Sequence, residues 1–468
     1  MTIRYVGPGG SDSNDGLSWA TRKLTISGAE ATPVVAGDTV YVGPGVYRET
    51  FAASVSGTVG NIITYIGDVD GSHTDGIGGV VRISSLNSDE VTNARTVCIS
   101  ANDVDYRTFR GFYLEFAGAS YNAAFNGPNY PPGVLHLVIE DCIFQVFGNT
   151  SRGFFIADNN AYNHVVDIRR CVFLKGGTES CIMVMNSTSS KSITLTVEDC
   201  LFIAPDGTGV YLAYYDGTVV KNCTFLTYTG VNFDQTTTPN SSFVYNSLFY
   251  GNNTALITAI TGVMVEDYNN LAGCNIARQN VSVGANSVSL PIWFAPPALL
   301  NGFVFAPQLF GSLASWSPMI RRAGNSQSTF DLLGMTRPAT DSKRSWGAVQ
   351  YQGGERSTTQ AQAGTASFKL PDAGRKQFIV PTTNVSTTIS CYVYREADYT
   401  GTLPQMVIKQ PGQADTTVTD TGAAGGWNQL TTTLTPAASP GFVIVEVVSN
   451  NTASSGSYNL YVDSLAVS

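Results

Sequence analysis

The chain is poor in charge. Lys, Arg, Asp and Glu make up 13% of its 468 residues, about half of the usual quarter. With 26 basic against 35 acidic residues, the net charge is −9, and no basic run occurs. A surface that tracks nucleic-acid phosphates is therefore excluded. No stretch of 18 apolar residues is present, so no membrane-spanning helix is expected. Histidine is scarce: His73, His136 and His164 are scattered, and each reads as structural. Eight cysteines are too few for a disulfide framework in a chain of this length, and none forms a CxxC pair that would suggest zinc. The opening Met1-Thr2-Ile3-Arg4-Tyr5-Val6 lacks the charged and apolar regions of a signal peptide, so Sec export is not expected. Asn-x-Ser/Thr matches such as Asn186 with Thr188 then carry no weight as glycosylation sites. What the chain does hold is 43% hydrophobic residues, 11% aromatics and 47 glycines, with abundant Ser, Thr and Asn. The first two exclude disorder, and the rest suits short strands joined by tight turns.

Five segments share one frame: Glu140-Asp141-Cys142-Ile143-Phe144, Arg169-Arg170-Cys171-Val172-Phe173, Glu198-Asp199-Cys200-Leu201-Phe202, Lys221-Asn222-Cys223-Thr224-Phe225 and Tyr245-Asn246-Ser247-Leu248-Phe249. Their Cys/Ser positions lie 29, 29, 23 and 24 residues apart. A degenerate copy follows at Asp267-Tyr268-Asn269-Asn270-Leu271, and Arg110-Gly111-Phe112 looks like an earlier one. Each copy follows a β-rich run, and none carries a helical period. Such a repeat predicts a parallel solenoid whose equivalent strands stack about 4.8 Å apart. Alternation sends Cys142 and Phe144 inward and Ile143 outward. Cys142, Cys171, Cys200 and Cys223 then form a packed internal ladder rather than a redox or metal site. The preceding position (Asp141, Arg170, Asp199, Asn222, Asn246) suits a left-handed bend. One position earlier, Glu140, Arg169, Glu198 and Lys221 alternate in sign, as a structural charge ladder would.

The glycine-rich opening Tyr5-Val6-Gly7-Pro8-Gly9-Gly10-Ser11-Asp12, with Gly37-Asp38-Thr39-Val40-Tyr41-Val42-Gly43-Pro44-Gly45-Val46-Tyr47, resembles the N-terminal coil of right-handed parallel β-helix proteins of the pectate-lyase-like type. Ser317-Pro318-Met319-Ile320 through Trp346-Gly347-Ala348-Val349-Gln350-Tyr351 resembles their closing coil. Residues 365–468 hold strand-like runs at sandwich spacing. Trp427-Asn428-Gln429-Leu430, the Val-rich run 442–448 and the Tyr461-Val462-Asp463 ending resemble jelly-roll carbohydrate-binding modules. The fold expected is all-β, a right-handed single-stranded parallel β-helix over 1–352 with its cap near 1–50. A linker at 353–364 and a β-sandwich over 365–468 follow, with Trp427 in the sandwich core.

Four excursions from the repeat (117–133, 149–163, 176–191 and 235–241) are expected to leave the stack as loops that line a binding face. They hold the aromatics Tyr121, Phe125, Tyr130 and Tyr162, expected to be exposed. Tyr214, Tyr215 and Asp216 form a further turn and are the expected glycan-binding group. Glycoside hydrolysis needs two carboxylates about 5–10 Å apart. The acids outside the ladder, Asp158, Glu179, Asp206, Asp216 and Asp234, share no clean frame position, so no catalytic residue is assigned. The oxygen-rich stretches Asp12-Ser13-Asn14-Asp15-Gly16 and Asp68-Val69-Asp70-Gly71 lack the spacing of a calcium loop and read as turns; no metal or cofactor is expected.

A β-rich chain of extracellular style without an export signal resembles a component of a tailed-phage virion. The resemblance implies a structural surface protein (spike, fibre or head decoration) that presents solenoid and sandwich to the host. Its implied partners are a host surface glycan and other virion proteins, within a homo-oligomer for which a trimer is favoured. Neither nucleic acid nor membrane insertion is implied, and the location would be the virion surface. Two alternatives stand beside this reading: a polysaccharide lyase or glycoside hydrolase working in the solenoid groove, and a glycan-binding adhesin outside any virion.

Overall fold

The computed structural model describes residues 1–290, apart from 32–33, 77, 88–94, 102–103, 119–121, 128–135, 159–163, 187–192, 214–216 and 235–241. It also describes residues 331–332 and most of the strands and turns between 355 and 467. Backbone contacts divide the chain into two units, Met1–Ala298 with Phe305–Gln350, and Leu299–Val304 with Tyr351–Ser468.

The first unit is a parallel β-helix with three strands per coil. Ten strands, from Ile3–Val6 to Met264–Asp267, stack in parallel as the first sheet. The second and third faces merge into one 16-stranded sheet, because Leu201–Ala213 and Thr224–Asp234 run through the corner between them without a break. Within the stretches expected to be loops, Ala123–Asn126, Arg152–Asp158 and Ser180–Asn186 are strands of this third face. Their alternation is responsible: Phe154, Ile156, Ile182 and Val184 point inward and are fully buried, which only a strand against the core allows. Phe125 is accordingly a core residue, not an exposed loop aromatic.

The frame behaves as its spacing predicts. Asp141, Arg170, Asp199, Asn222, Asn246 and Tyr268 all have φ between 50° and 57°, the left-handed bend between first and second faces. Each bend turns a first-sheet carbonyl toward the interior, and the ladder side chain two residues on meets it. Cys142, Cys171, Cys200 and Cys223 Sγ lie 3.2–3.3 Å from the carbonyls of Glu140, Arg169, Glu198 and Lys221. Ser247 Oγ donates to Tyr245 O at 2.8 Å in the same way. The position therefore needs a small buried donor, which explains why Cys and Ser exchange there. Beside it, Phe144, Phe173, Phe202, Phe225 and Phe249 stack with centroids 4.4, 5.0, 4.7 and 4.7 Å apart and planes within 11°. Burial drives the thiols of Cys142, Cys171 and Cys200 well above the ordinary thiol range.

Two buried ion pairs close the stack. At the first coils the short helix Ile26–Ala31 lays Ile26 and Ala29 into the core. Its Glu30 accepts Arg107 Nη2 at 2.6 Å and Tyr65 Oη at 2.5 Å. At the far end Glu266 accepts Arg278 Nε, Gly284 N and Ser287 Oγ at 2.7, 2.7 and 2.5 Å. The segment expected to be a closing coil lies outside the described residues except for Asp331 and Leu332. Leu332 does not extend the stack; it packs with Val172, Leu174 and Leu201, which face outward on the second sheet in mid-solenoid.

The second unit is an antiparallel sandwich. One sheet runs in the order Glu355–Ser357, Ser367–Leu370, Leu460–Val467, Thr387–Arg395, Trp427–Leu434. The other runs Arg375–Thr382, Gly441–Val448, Gln405–Lys409, Thr416–Thr419. Glu355–Ser357 thus pairs into the sandwich rather than serving as linker. Ile389, Cys391 and Val393 point into the core, so Tyr392 and Tyr394 point out. Trp427 lies directly opposite Tyr394 and shares its outward face, a correction to its expected place in the core.

Candidate functional site

Register decides which charges are free for chemistry. Glu140 pairs with Arg169, Arg169 with Glu198 and Glu198 with Lys221 in adjacent first-sheet strands, as the alternating signs predict. Lys221 Nζ meets Glu198 at 3.1 Å, and Arg169 meets it at 3.9 Å. Glu140 is held by Arg110 and, at 2.7 Å, by Arg170 from the next position of the frame. Burial raises the Glu140 carboxyl, but hydrogen bonds and charge from the two guanidiniums outweigh it and hold the group low. These charges are occupied within the stack.

The outer surface of the third face is different. Phe155, Met183, Tyr211 and Asn232 occupy one register column on four successive coils, each pointing away from the core between two fully buried neighbours. The adjacent outward column is Ala157, Met185, Ala213 and Asp234. All of the first column is partly exposed, and Met185 is 39% exposed. Tyr211 Oη donates to the exposed Asp234 carboxylate at 2.8 Å, which fixes the ring across two coils. At one end, the Arg152 guanidinium lies 4.4 Å from the Phe155 ring centroid and 3.3 Å from Glu179. The arrangement is an apolar and aromatic strip with carbonyl, amide and carboxylate margins.

Lys175, Glu179 and Asp206 gather at the corner where the chain passes from second to third face. Lys175 is 4% exposed, and its Nζ donates to Gly176 O and Gly177 O at 2.7 and 3.1 Å. Burial pushes Lys175 below its ordinary range, while Cys181, Glu179 and Asp206 act against that. Burial also pushes the Cys181 thiol up to about 12. Ser180 pairs with Thr208, so Glu179 and Asp206 sit within one residue of register on adjacent coils. The spacing of the acids in the sequence conceals this neighbourhood, because a 23-residue and a 29-residue coil separate them from the frame differently.

Tyr214, Tyr215 and Asp216, expected to bind glycan, lie outside the described residues, as do Tyr121, Tyr130 and Tyr162. In the chain, 214–216 directly follow Ala213, the end of the strand that carries Tyr211. Of the missed residues, Asn232 carries a readable signal, a polar residue between Val231 and Phe233, whereas Phe155, Met183 and Tyr211 lie within apolar runs that register alone resolves. Among the described residues no group of three or more His, Cys, Asp or Glu could hold a metal ion. Asp15 accepts Leu17 N at 3.0 Å and Asp70 accepts Ser72 N at 2.9 Å, the local bonds of turns, while Asp12 reaches Leu24 N and Thr25 N at 3.0 and 2.9 Å and Asp68 reaches His73 N and Thr74 Oγ1 at 2.9 and 2.7 Å.

No protein-family model and no curated protein matches the chain. Among solved structures, it is similar to the GH136 lacto-N-biosidase from Eubacterium ramulus, with 12% identity over 61% of this chain and a TM-score of 0.44. The match spans 57% of that enzyme's chain. A tailspike protein of Acinetobacter baumannii bacteriophage Fri1, a capsular polysaccharide depolymerase, is similar at 13% identity over 90% of this chain and 81% of its own, with a TM-score of 0.26. A family 16 carbohydrate binding module matches 25% of this chain and 84% of its own at 17% identity and a TM-score of 0.18.

Proposed function

We propose that the protein recognises glycan at the surface of a tailed-phage virion, as a spike, fibre or head decoration. The observation that carries the glycan reading is the Phe155–Met183–Tyr211–Asn232 column with Asp234 beside it. Aromatic and thioether surface takes the C–H face of a pyranose, while a carboxylate and an amide at its margin take hydroxyls. The virion part of the reading rests on composition and on a solenoid whose conspicuous charges are spent on stacking. Host glycan and other virion proteins are the partners proposed, within a homo-oligomer, a trimer being the form favoured. Two measurements test this. Mass spectrometry of purified particles should find the chain, and its absence from intact virions removes the virion assignment. Binding of the purified chain to host cells should fall when Tyr211→Ala is introduced and survive Glu198→Gln; the opposite pattern removes the glycan assignment.

The depolymerase reading has one observation in its favour, the Glu179 and Asp206 carboxylates on neighbouring coils above the buried Lys175. Paired acids of this kind can act as general acid and base on a glycosidic bond. New reducing ends released from a host polysaccharide by the native chain, and lost in both Glu179→Gln and Asp206→Asn, would favour it over binding alone.

A further inference from the structure

The edges of the sandwich are not alike. Four strands end its two sheets: Glu355–Ser357 and Trp427–Leu434 in one, Arg375–Thr382 and Thr416–Thr419 in the other. An edge strand presents unpaired N–H and C=O groups, and the usual protections against stray pairing are shortness, charge and proline. Glu355–Ser357 has three residues and contains Glu355 and Arg356. Thr416–Thr419 has four residues, and Arg375–Thr382 contains Arg375, Lys376 and Pro381. Trp427–Leu434 runs for eight residues with neither a charge nor a proline. Its register against Thr387–Arg395 is unbroken by any bulge. Every second residue therefore turns its N–H and C=O away from that neighbour, and among the described residues no strand takes them up.

We infer that this edge is an interface between two copies of the chain, in which Trp427–Leu434 pairs antiparallel with itself about a twofold axis normal to the sheet. Three features favour a second copy as the occupant. That axis keeps like faces together, so the buried Leu430 and Leu434 of both copies continue one inner side, and the exposed Gln429, Thr431 and Thr433 one outer side. Opposed side chains must share a face, so the self-opposed residue at the middle of the strand is Leu430 or Thr431, and neither register sets like charges against each other. On the outer side, Thr388 and Thr433 already share a hydroxyl hydrogen bond at 3.0 Å across the existing strand pair, and Thr431 and Thr433 offer the same kind of contact to a copy. The pairing is independent of the glycan reading, and it joins copies in twos, unlike the trimer favoured above.

The test is sedimentation velocity of the full chain from about 1 to 100 μM, because a strand edge buries little area and a micromolar midpoint is expected. The native chain should double in mass across that range. Thr431→Lys sets like charges beside the twofold axis from an exposed position and should raise the midpoint by about 10-fold or more, whereas Thr431→Val should leave it within about 2-fold. Gln429→Lys, exposed on the same face, should act as Thr431→Lys does, which guards against a folding defect peculiar to one variant. Amide hydrogen exchange across 427–434 should slow above the midpoint in the native chain and stay fast in Thr431→Lys at every concentration. No doubling, doubling at native strength in both lysine variants, or slow exchange that ignores concentration, as cover by the chain's own residues would give, would overturn the proposal. A mass of three copies that neither lysine variant alters would do so too. Glycan binding that depends on Tyr211 is untouched by any of these results, so failure here leaves the solenoid reading intact.

Discussion

The phenylalanine ladder gives the most quantitative prediction. Phe202 is fully buried and stacks on Phe173 at 5.0 Å and on Phe225 at 4.7 Å, whereas Phe249 ends the ring column and, among the described residues, stacks on Phe225 alone at 4.7 Å. Phe144, at the other end, stacks among the described residues on Phe173 alone, at 4.4 Å. The coils next outward from these ends carry Leu114 and Leu271 at the same position. Replacing Phe with Leu keeps most of the apolar volume and removes the stacked pairs, each worth about 0.5–1.5 kcal/mol beyond burial. Phe202→Leu therefore loses two pairs, about 1–3 kcal/mol, and Phe249→Leu or Phe144→Leu loses one, about half as much. Urea unfolding of the full chain, followed on the solenoid's β signal, measures the differences, because neighbour contacts sum along a repeat stack. In thermal terms the interior variant should melt about 2–6 °C below the native chain, at roughly 2 °C per kcal/mol for a unit of this size. Equal losses at the three positions, or the largest at an end, would refute the stacked column.

Other consequences follow from the buried groups. Arg107→Met strips Glu30 of its buried partner and should cost about 3–5 kcal/mol in urea unfolding, much of it recovered in the double variant with Glu30→Gln. Burial raises the Glu30 carboxyl, but hydrogen bonds and charge from Arg107, with Tyr65 and Ser54, bring it below its ordinary value of 4.5. The stabilisation is therefore complete above about pH 4.5 and is lost as pH falls through the lower folded value, a loss that acid titration of native and Glu30→Gln chains should separate. Thiol labelling of the folded chain at pH 8 should reach the half-buried Cys274 first and leave Cys142, Cys171 and Cys200 unreacted; prompt labelling of the ladder would contradict its burial. Cys171→Ser should cost no more than about 1 kcal/mol because the hydroxyl keeps the bond to Arg169 O, and Cys171→Ala, which loses it, should cost more. At the solenoid site Tyr211→Phe should retain most glycan affinity, since the ring is kept while the bond to Asp234 is lost, and Tyr211→Ala should lose about 10-fold by equilibrium titration.

Much of the solenoid was legible because its repeat is a chemical one. Left-handed tolerance at Asp141 to Asn246, a small buried donor after it and a ring two residues on are local demands of one bend, and each leaves a residue type behind. The third face left less, because its strands are bounded by stretches of differing length that blur the period. Ile182-Met183-Val184 and Val210-Tyr211-Leu212 look like short apolar runs, and only their neighbours in register set Met183 and Tyr211 apart as outward-facing, whereas the turn residues at 214–216 stand out by type alone. Glu179 and Asp206 are obscured for a related reason: coils of unequal length bring them within one residue of register although their frame positions disagree. Trp427 shows the limit of composition. A large ring that opens a strand suits a core as well as an outer face, and only pairing with Tyr394, set by the inward Val393 next to it, decides between them.

The most direct test is a crystal structure of the chain soaked with oligosaccharide cut from the host polysaccharide it binds. Sugar rings should lie against Phe155 and Tyr211 on the third face, with hydroxyls directed to Asn232 and Asp234. Sugar seated instead on the Glu140–Arg169–Glu198–Lys221 ladder of the first face would show that the stacked charges serve recognition, and would contradict the assignment of the site.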